Sequence, residues 1–147
     1  MAKSELTKII EQELYKSISP FKEFGCHEVT LGWFGREVVD FITYSTDRII
    51  RCYEIKVSKE DFKSKAKLSF FGHFNYYVMP IGLWHELRSE IKQEIGVYAY
   101  DGNCLVNVKK ATRQELKADK EVILSSMVRS LQRELIKFKE KAKDNKQ

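Results

Sequence analysis

The chain has 147 residues, 43% of them apolar and 12% aromatic, which suffices for one packed core and excludes a disordered chain. With only 2 prolines and 7 glycines it has no flexible linker, and no run approaches the length of a membrane-crossing helix. The opening Met1-Ala2-Lys3-Ser4-Glu5 lacks the apolar stretch of a signal peptide, so a cytoplasmic protein with no membrane partner is expected.

Residues 4–18 read as a helix. Leu6, Ile9, Ile10, Leu14 and Ile18 recur at helical spacing, Ser4 suits the N-cap, and Pro20 blocks continuation. Glu13 falls near the centre of that stripe, seven residues after Leu6, where a carboxylate needs a cation as partner. Three strands follow, over residues 27–33, 37–45 and 49–57, and are expected to form an antiparallel meander. Ser58-Lys59-Glu60-Asp61 resembles a capping box and opens a helix through about Lys67. Residues 75–79 form a compact fourth strand stopped by Pro80. A helical segment over 84–93 and a hairpin around Asp101-Gly102-Asn103 complete the sheet region. Residues 117–143 read as a long helix whose stripe is Leu124, Met127, Val128, Leu131, Leu135 and Phe138. The class is α/β or α+β, a central mixed sheet flanked by helices. Residues 1–110 form the main domain, and 111–147 form an amphipathic basic helix packed on that domain or on a second copy, as in a homodimer.

Charge is unevenly placed. Residues 1–108 carry 14 Lys/Arg and 15 Asp/Glu, a net of −1, whereas residues 109–147 carry 12 and 6, a net of +6. A basic end suits a phosphate backbone, and equally a solvated lysine-rich helix. Arg129 and Arg133 are candidate phosphate contacts there. The aromatic run Phe70–Tyr77, near Lys63, Lys65 and Lys67, suits either a core corner or stacking on unpaired bases. The three cysteines are odd in number and widely spaced, so reduced thiols are expected rather than disulfides or a zinc site.

The densest chemical signal is Tyr53-Glu54-Ile55-Lys56-Val57. On a strand, Glu54 and Lys56 share a face, and a carboxylate and an ammonium on an otherwise apolar strand are costly to bury without a purpose. Asp40 lies on the preceding strand. Two carboxylates, with the carbonyl of Ile55, suit a magnesium ion, which takes hard oxygen ligands and keeps several waters. A lysine beside it can orient an attacking water or stabilise developing charge. Glu13 is the candidate for a further metal contact.

Asp40, thirteen intervening residues and then Glu54-Ile55-Lys56 resemble the core motif of the PD-(D/E)XK nuclease superfamily. Val39-Asp40-Phe41, Ser58, Asp61-Phe62, Lys67 and Tyr76-Tyr77-Val78 extend the likeness over roughly residues 5–110. They are similar to a small single-domain branch found in bacterial DNA-repair-associated and phage-encoded proteins. The resemblance implies a restriction-endonuclease-like fold of αβββαβ order and hydrolysis of DNA with Mg2+ or Mn2+. It implies a catalytic set of Asp40, Glu54 and Lys56 with Glu13 on the first helix, and a lysine, Lys67, on the helix flanking the site. Lys63, Lys65 and Lys67, beside the aromatic run, are the candidate nucleic-acid contacts. Val39 stands where many members have proline. Because fold does not fix function, the alternative is a non-catalytic nucleic-acid-binding or assembly protein on the same scaffold. A further alternative is an adaptor built on the terminal helix, with a body that folds without it.

Overall fold

The structure is a computed structural model that describes residues 3–18, 21–32, 37–64 and 69–145. Its elements run α1 (Glu5–Ser17), β1 (Glu23–Thr30), β2 (Val38–Ser45), β3 (Ile50–Ile55), α2 (Lys59–Lys63) and β4 (Phe74–Pro80). They continue with α3 (Ile81–Leu87), a 3-10 turn (Arg88–Glu90), β5 (Gly96–Tyr100), β6 (Leu105–Lys109) and α4 (Lys120–Asp144). The six strands form one sheet in chain order. β1, β2 and β3 are an antiparallel meander, β3, β4 and β5 are parallel, and β6 returns antiparallel to β5. The protein is therefore α+β, a mixed sheet flanked by helices with αβββαβ order at its start.

Both faces of the sheet are covered, which is why β4 reads as an unbroken buried run from Asn75 to Met79 rather than an alternating one. On one face, Ile10 and Leu14 of α1 pack on Phe41, Tyr53, Ile55, Tyr76 and Val78. On the other, Ile123 and Met127 of α4 pack on Cys26, Ile42, Ile50, Cys52 and Phe71, while Leu83 and Leu87 of α3 cover Tyr77, Met79 and Val97. Cys26 and Cys52 are buried free thiols, and Cys104 is exposed.

Helix ends follow side-chain capping. Ser4 Oγ accepts from Thr7 N–H at 3.1 Å, and Ser58 Oγ accepts from Asp61 N–H at 3.0 Å. α4 begins at Lys120, three residues later than its sequence pattern, because the Asp119 carboxylate accepts from Val122 N–H at 3.1 Å and fixes the start. α2 spans Lys59–Lys63 and Ser64 is extended; the expected continuation to Lys67 lies outside the described residues. In the strap of residues 69–73, Gly72 is pressed against β3. A Cβ at that position would stand 2.8 Å from the Ile50 carbonyl oxygen. Asn75 clamps this strap, accepting from Gly72 N–H at 3.0 Å and donating to the Gly72 carbonyl at 3.1 Å.

α4 is part of this core. Ile123 is fully buried and Met127 nearly so, both among residues of β1, β2 and β3. Removing residues 111–147 would uncover the β1–β3 part of that face, while α3 would still cover β4 and β5.

Candidate active site

The site forms where the sheet opens. β2 and β3 pair from Tyr44 and Ile50 as far as Phe41 and Tyr53, and the ladder stops there. One residue further along β2, the Asp40 carboxylate takes over, with its Oδ2 accepting from Ile55 N–H at 2.8 Å. β1 also departs from the ladder at this level. His27 pairs with Phe41 and Val29 with Val39, while Glu28 between them has a left-handed φ of 53°. A non-glycine residue in that region is locally strained. The strand ends around Asp40 are thus held by side chains, and the gap is a cleft of about 340 Å³. It is lined by Lys3, Thr7 and Glu11 from the α1 side, Val38 and Asp40 from β2, Glu54 and Ile55 from β3 with Lys56 just past its end, Asp61 from α2 and its C-cap Ser64.

The carboxyls of Asp40 and Glu54 adjoin each other in this cleft. Glu54 is only 5% exposed, and its anchor is Ser69 N–H, which donates to Oε1 at 3.1 Å from the strap that Gly72 and Asn75 hold. Burial and the neighbouring Asp40 push the Glu54 carboxyl up to about 9, and burial also raises Asp40. Burial disfavours a charge on either carboxyl, and the Asp40 charge disfavours one on Glu54, so Glu54 holds its proton at neutral pH in the absence of a cation.

Lys56 is 6% exposed. Its Nζ lies 3.8 Å from Asp61 Oδ1, and Asp61 Oδ2 accepts from Val57 N–H at 3.1 Å. Asp61 thereby joins the start of α2 to the end of β3 and gives the buried ammonium a counter-charge. The sequence suggested only a capping role for Asp61; it caps and partners Lys56 at once. At the rim, Lys3 Nζ bridges the carboxylates of Glu11 and Glu28.

The α1 acid facing the cleft is Glu11, not Glu13. Glu13 turns away and pairs with Lys16 at 3.3 Å. The reason is geometric. The buried stripe is set by Leu6, Ile10, Leu14 and Ile18. At about 100° per residue, Glu11 and Glu13 flank its centre on opposite sides, each roughly 80° away. Ile9 biased the sequence pattern toward Glu13, yet Ile9 is exposed. Only the docking of α1 decides which flank looks into the cleft.

The structure therefore gathers Asp40, Glu54, Ile55 and Lys56 and adds Glu11, Asp61 and Lys3, while Glu13 stands outside. Lys63 is exposed at the end of α2; Lys65 and Lys67 lie outside the described residues. Arg129 donates to the carbonyls of Thr30 and Gly32, and Arg133 to that of Glu28, so both guanidiniums tie α4 to β1. Within the aromatic run, Phe71, Tyr76 and Tyr77 are buried in the core.

Two carboxylates, with further coordination from water and substrate oxygens, match the needs of a hard divalent cation such as magnesium or manganese. Among the described residues, no group of three His, Cys, Asp or Glu side chains is gathered to hold a metal. Among the described residues, no helix is long and apolar enough to cross a membrane.

No family model matches the chain, and no curated protein matches it. Among solved structures, it is similar to a protein of unknown function from Silicibacter pomeroyi, with a TM-score of 0.70 and 15% identity over 99% of this chain and 96% of that one. A likeness at this level of identity establishes a shared fold.

Proposed function

We propose that the protein is a metal-dependent nuclease that hydrolyses DNA phosphodiester bonds, belonging by its motif and αβββαβ order to the PD-(D/E)XK type. The observation that carries this reading is the convergence of Asp40 and the buried Glu54 and Lys56 in one cleft, at the point where β2 and β3 part. Burial raises both carboxyls, and the Asp40 charge raises Glu54 further; such costs to stability concentrate at functional sites.

Asp40 and Glu54 would hold a magnesium or manganese ion, which supplies Lewis-acid charge for the scissile phosphate and a nucleophile at neutral pH. Asp40 is oriented by Ile55 N–H and Glu54 by Ser69 N–H, so both carboxyls are fixed before substrate arrives. Lys56 orients the attacking water and stabilises the charge that develops on the phosphate. Asp61 holds that ammonium in place. Glu11 and Lys3 border the entrance, and Lys63, Lys65 and Lys67 are the proposed backbone contacts to DNA.

The test is cleavage of duplex, branched and single-stranded DNA and of RNA with Mg2+ or Mn2+, with Asp40→Ala and Glu54→Ala alongside. Metal-dependent cleavage lost in both variants is the expected result; cleavage that persists in either refutes the assignment. One observation favours a second reading: among the described residues no group of three His, Cys, Asp or Glu side chains is placed to hold a metal. A non-catalytic nucleic-acid-binding protein on this scaffold would cut none of these substrates, and Mn2+ would leave its Tm unchanged.

A further inference from the structure

α4 carries two apolar stripes. One is buried: Ile123 and Met127, with Ser126 and Ser130, face the sheet. The other is Leu124, Val128, Leu131, Leu135 and Phe138, spaced 4, 3, 4 and 3 residues apart, which is the spacing of a helix–helix seam. Val128 is 65% exposed and Phe138 71%, with Leu131 and Leu135 also exposed. From Leu131 onward every helical residue except Glu134 is exposed. Fourteen residues of helix, about 21 Å, thus extend with an apolar stripe and almost no cover. A helix of that length is marginal in water unless something packs on it.

The near half of this stripe borders an apolar cavity of about 320 Å³ between α4 and the edge of the sheet, lined by Phe24, Tyr44, Leu124, Met127, Val128 and Leu131. The far half carries Phe138, which has no cover. Leu124 lies seven residues before Leu131, and Phe138 seven after. A two-fold axis through Leu131 therefore sets Phe138 of one copy opposite Leu124 of the other, at the mouth of that cavity, and the reverse. This is the self-complementarity an isologous contact requires. The same axis brings Asp119 and Glu121, at the start of one helix, beside Lys143 and Lys141, at the end of the other. The two helix dipoles then run opposed.

We propose that the protein is a two-fold homodimer in which α4 pairs antiparallel with α4 of a second copy, each Phe138 filling the apolar cavity beside Phe24 and Tyr44 of its partner. The occupant of the exposed seam is thus a second copy of this chain. The inference stands apart from the nuclease reading, and its readouts are mass and cross-linking rather than cleavage.

The full chain is examined by light scattering and sedimentation at micromolar concentrations, with Phe138→Glu and Val128→Glu beside it. Both substitutions fall on exposed side chains, so folding is retained and is checked by circular dichroism. The wild type is expected to be a dimer, and each substitution is expected to weaken dimerisation by tenfold or more. Direction is read in a Cys104→Ser background, because Cys104 is exposed. A Leu124→Cys chain mixed with a Phe138→Cys chain should oxidise to the mixed disulfide. A monomeric wild type, a dimer indifferent to both substitutions, or 124–124 and 138–138 disulfides in place of the mixed one would each overturn the arrangement.

Discussion

β2 and β3 carry two regions of opposite character a few residues apart. At Ile42, Ile50 and Cys52 the strands pair regularly, and Ile123 and Met127 of α4 seal them. At Asp40, Glu54 and Lys56 the ladder has ended, an Asp carboxylate replaces a backbone partner, and three ionisable groups crowd one cleft. The first region follows the rule that burial of apolar area stabilises; the second breaks it, with buried carboxyls whose pKa values are pushed up. The same pair of strands thus supplies rigidity at one end and strained electrostatics at the other. The rigid end is what lets the strained end hold its geometry.

The largest expected effect tests the charged end. Asp40→Ala or Glu54→Ala should lower metal-dependent cleavage by about 10³-fold or more, since each removes a ligand from a site whose cation supplies several kcal/mol, and each 1.36 kcal/mol is tenfold in rate. Circular dichroism should show the fold intact, because neither side chain belongs to the apolar clusters. The counterpart at the sealed end is Ile123→Ala. It should cost roughly 2–5 kcal/mol in urea unfolding, the range for a buried aliphatic side chain. Truncation after Lys110 should prevent cooperative folding altogether. A truncated chain that melts as sharply as the full one would show that α4 is an appendage.

A third measurement separates the two regions by pH. The folded Glu54 carboxyl sits near 9, above its ordinary value of 4.5, so the folded state holds a proton that the unfolded state has released. Its contribution is fully present below pH 4.5 and is lost as pH rises through 9. Without metal the protein should therefore weaken between pH 5 and 9, and Glu54→Gln, which cannot ionise, should raise Tm by several degrees at pH 8 and far less at pH 5. Cation binding must expel the same proton, so Mn2+ affinity, read by calorimetry, should rise with pH over that window with proton release. A flat pH profile would mean that the pair is already ionised. The smallest effect sharpens the geometry: Glu11→Gln should reduce cleavage by up to about tenfold while Glu13→Gln leaves it unchanged, since Glu11 borders the cleft and Glu13 pairs with Lys16.

Much of the site was legible in the chain because its groups are close in sequence or fixed by strand alternation. Glu54 lies on β3 and Lys56 two residues on, just past its end, and Asp40 lies on the neighbouring strand of a meander, so local rules sufficed. The signals that failed needed a second element. Glu11 and Glu13 are equivalent about the stripe of α1, and Ile9 tipped the pattern the wrong way. Asp61 was readable as a cap but not as the partner of Lys56, because that contact forms only once α2 folds back on the end of β3. Ser69, which orients Glu54 through a backbone N–H, had no signal, since any residue but proline supplies that group.

The sequence by itself determined the elements, their order and the two carboxylates and lysine of the cleft, because periodicity, capping and strand alternation act over a few residues. Tertiary structure alone decided which acid of α1 looks into the cleft, that the terminal helix completes the core, and that its basic arginines bind β1 carbonyls. Those outcomes depend on the angle at which one rigid element meets another, and that angle is set by the summed packing of distant side chains rather than by any local pattern.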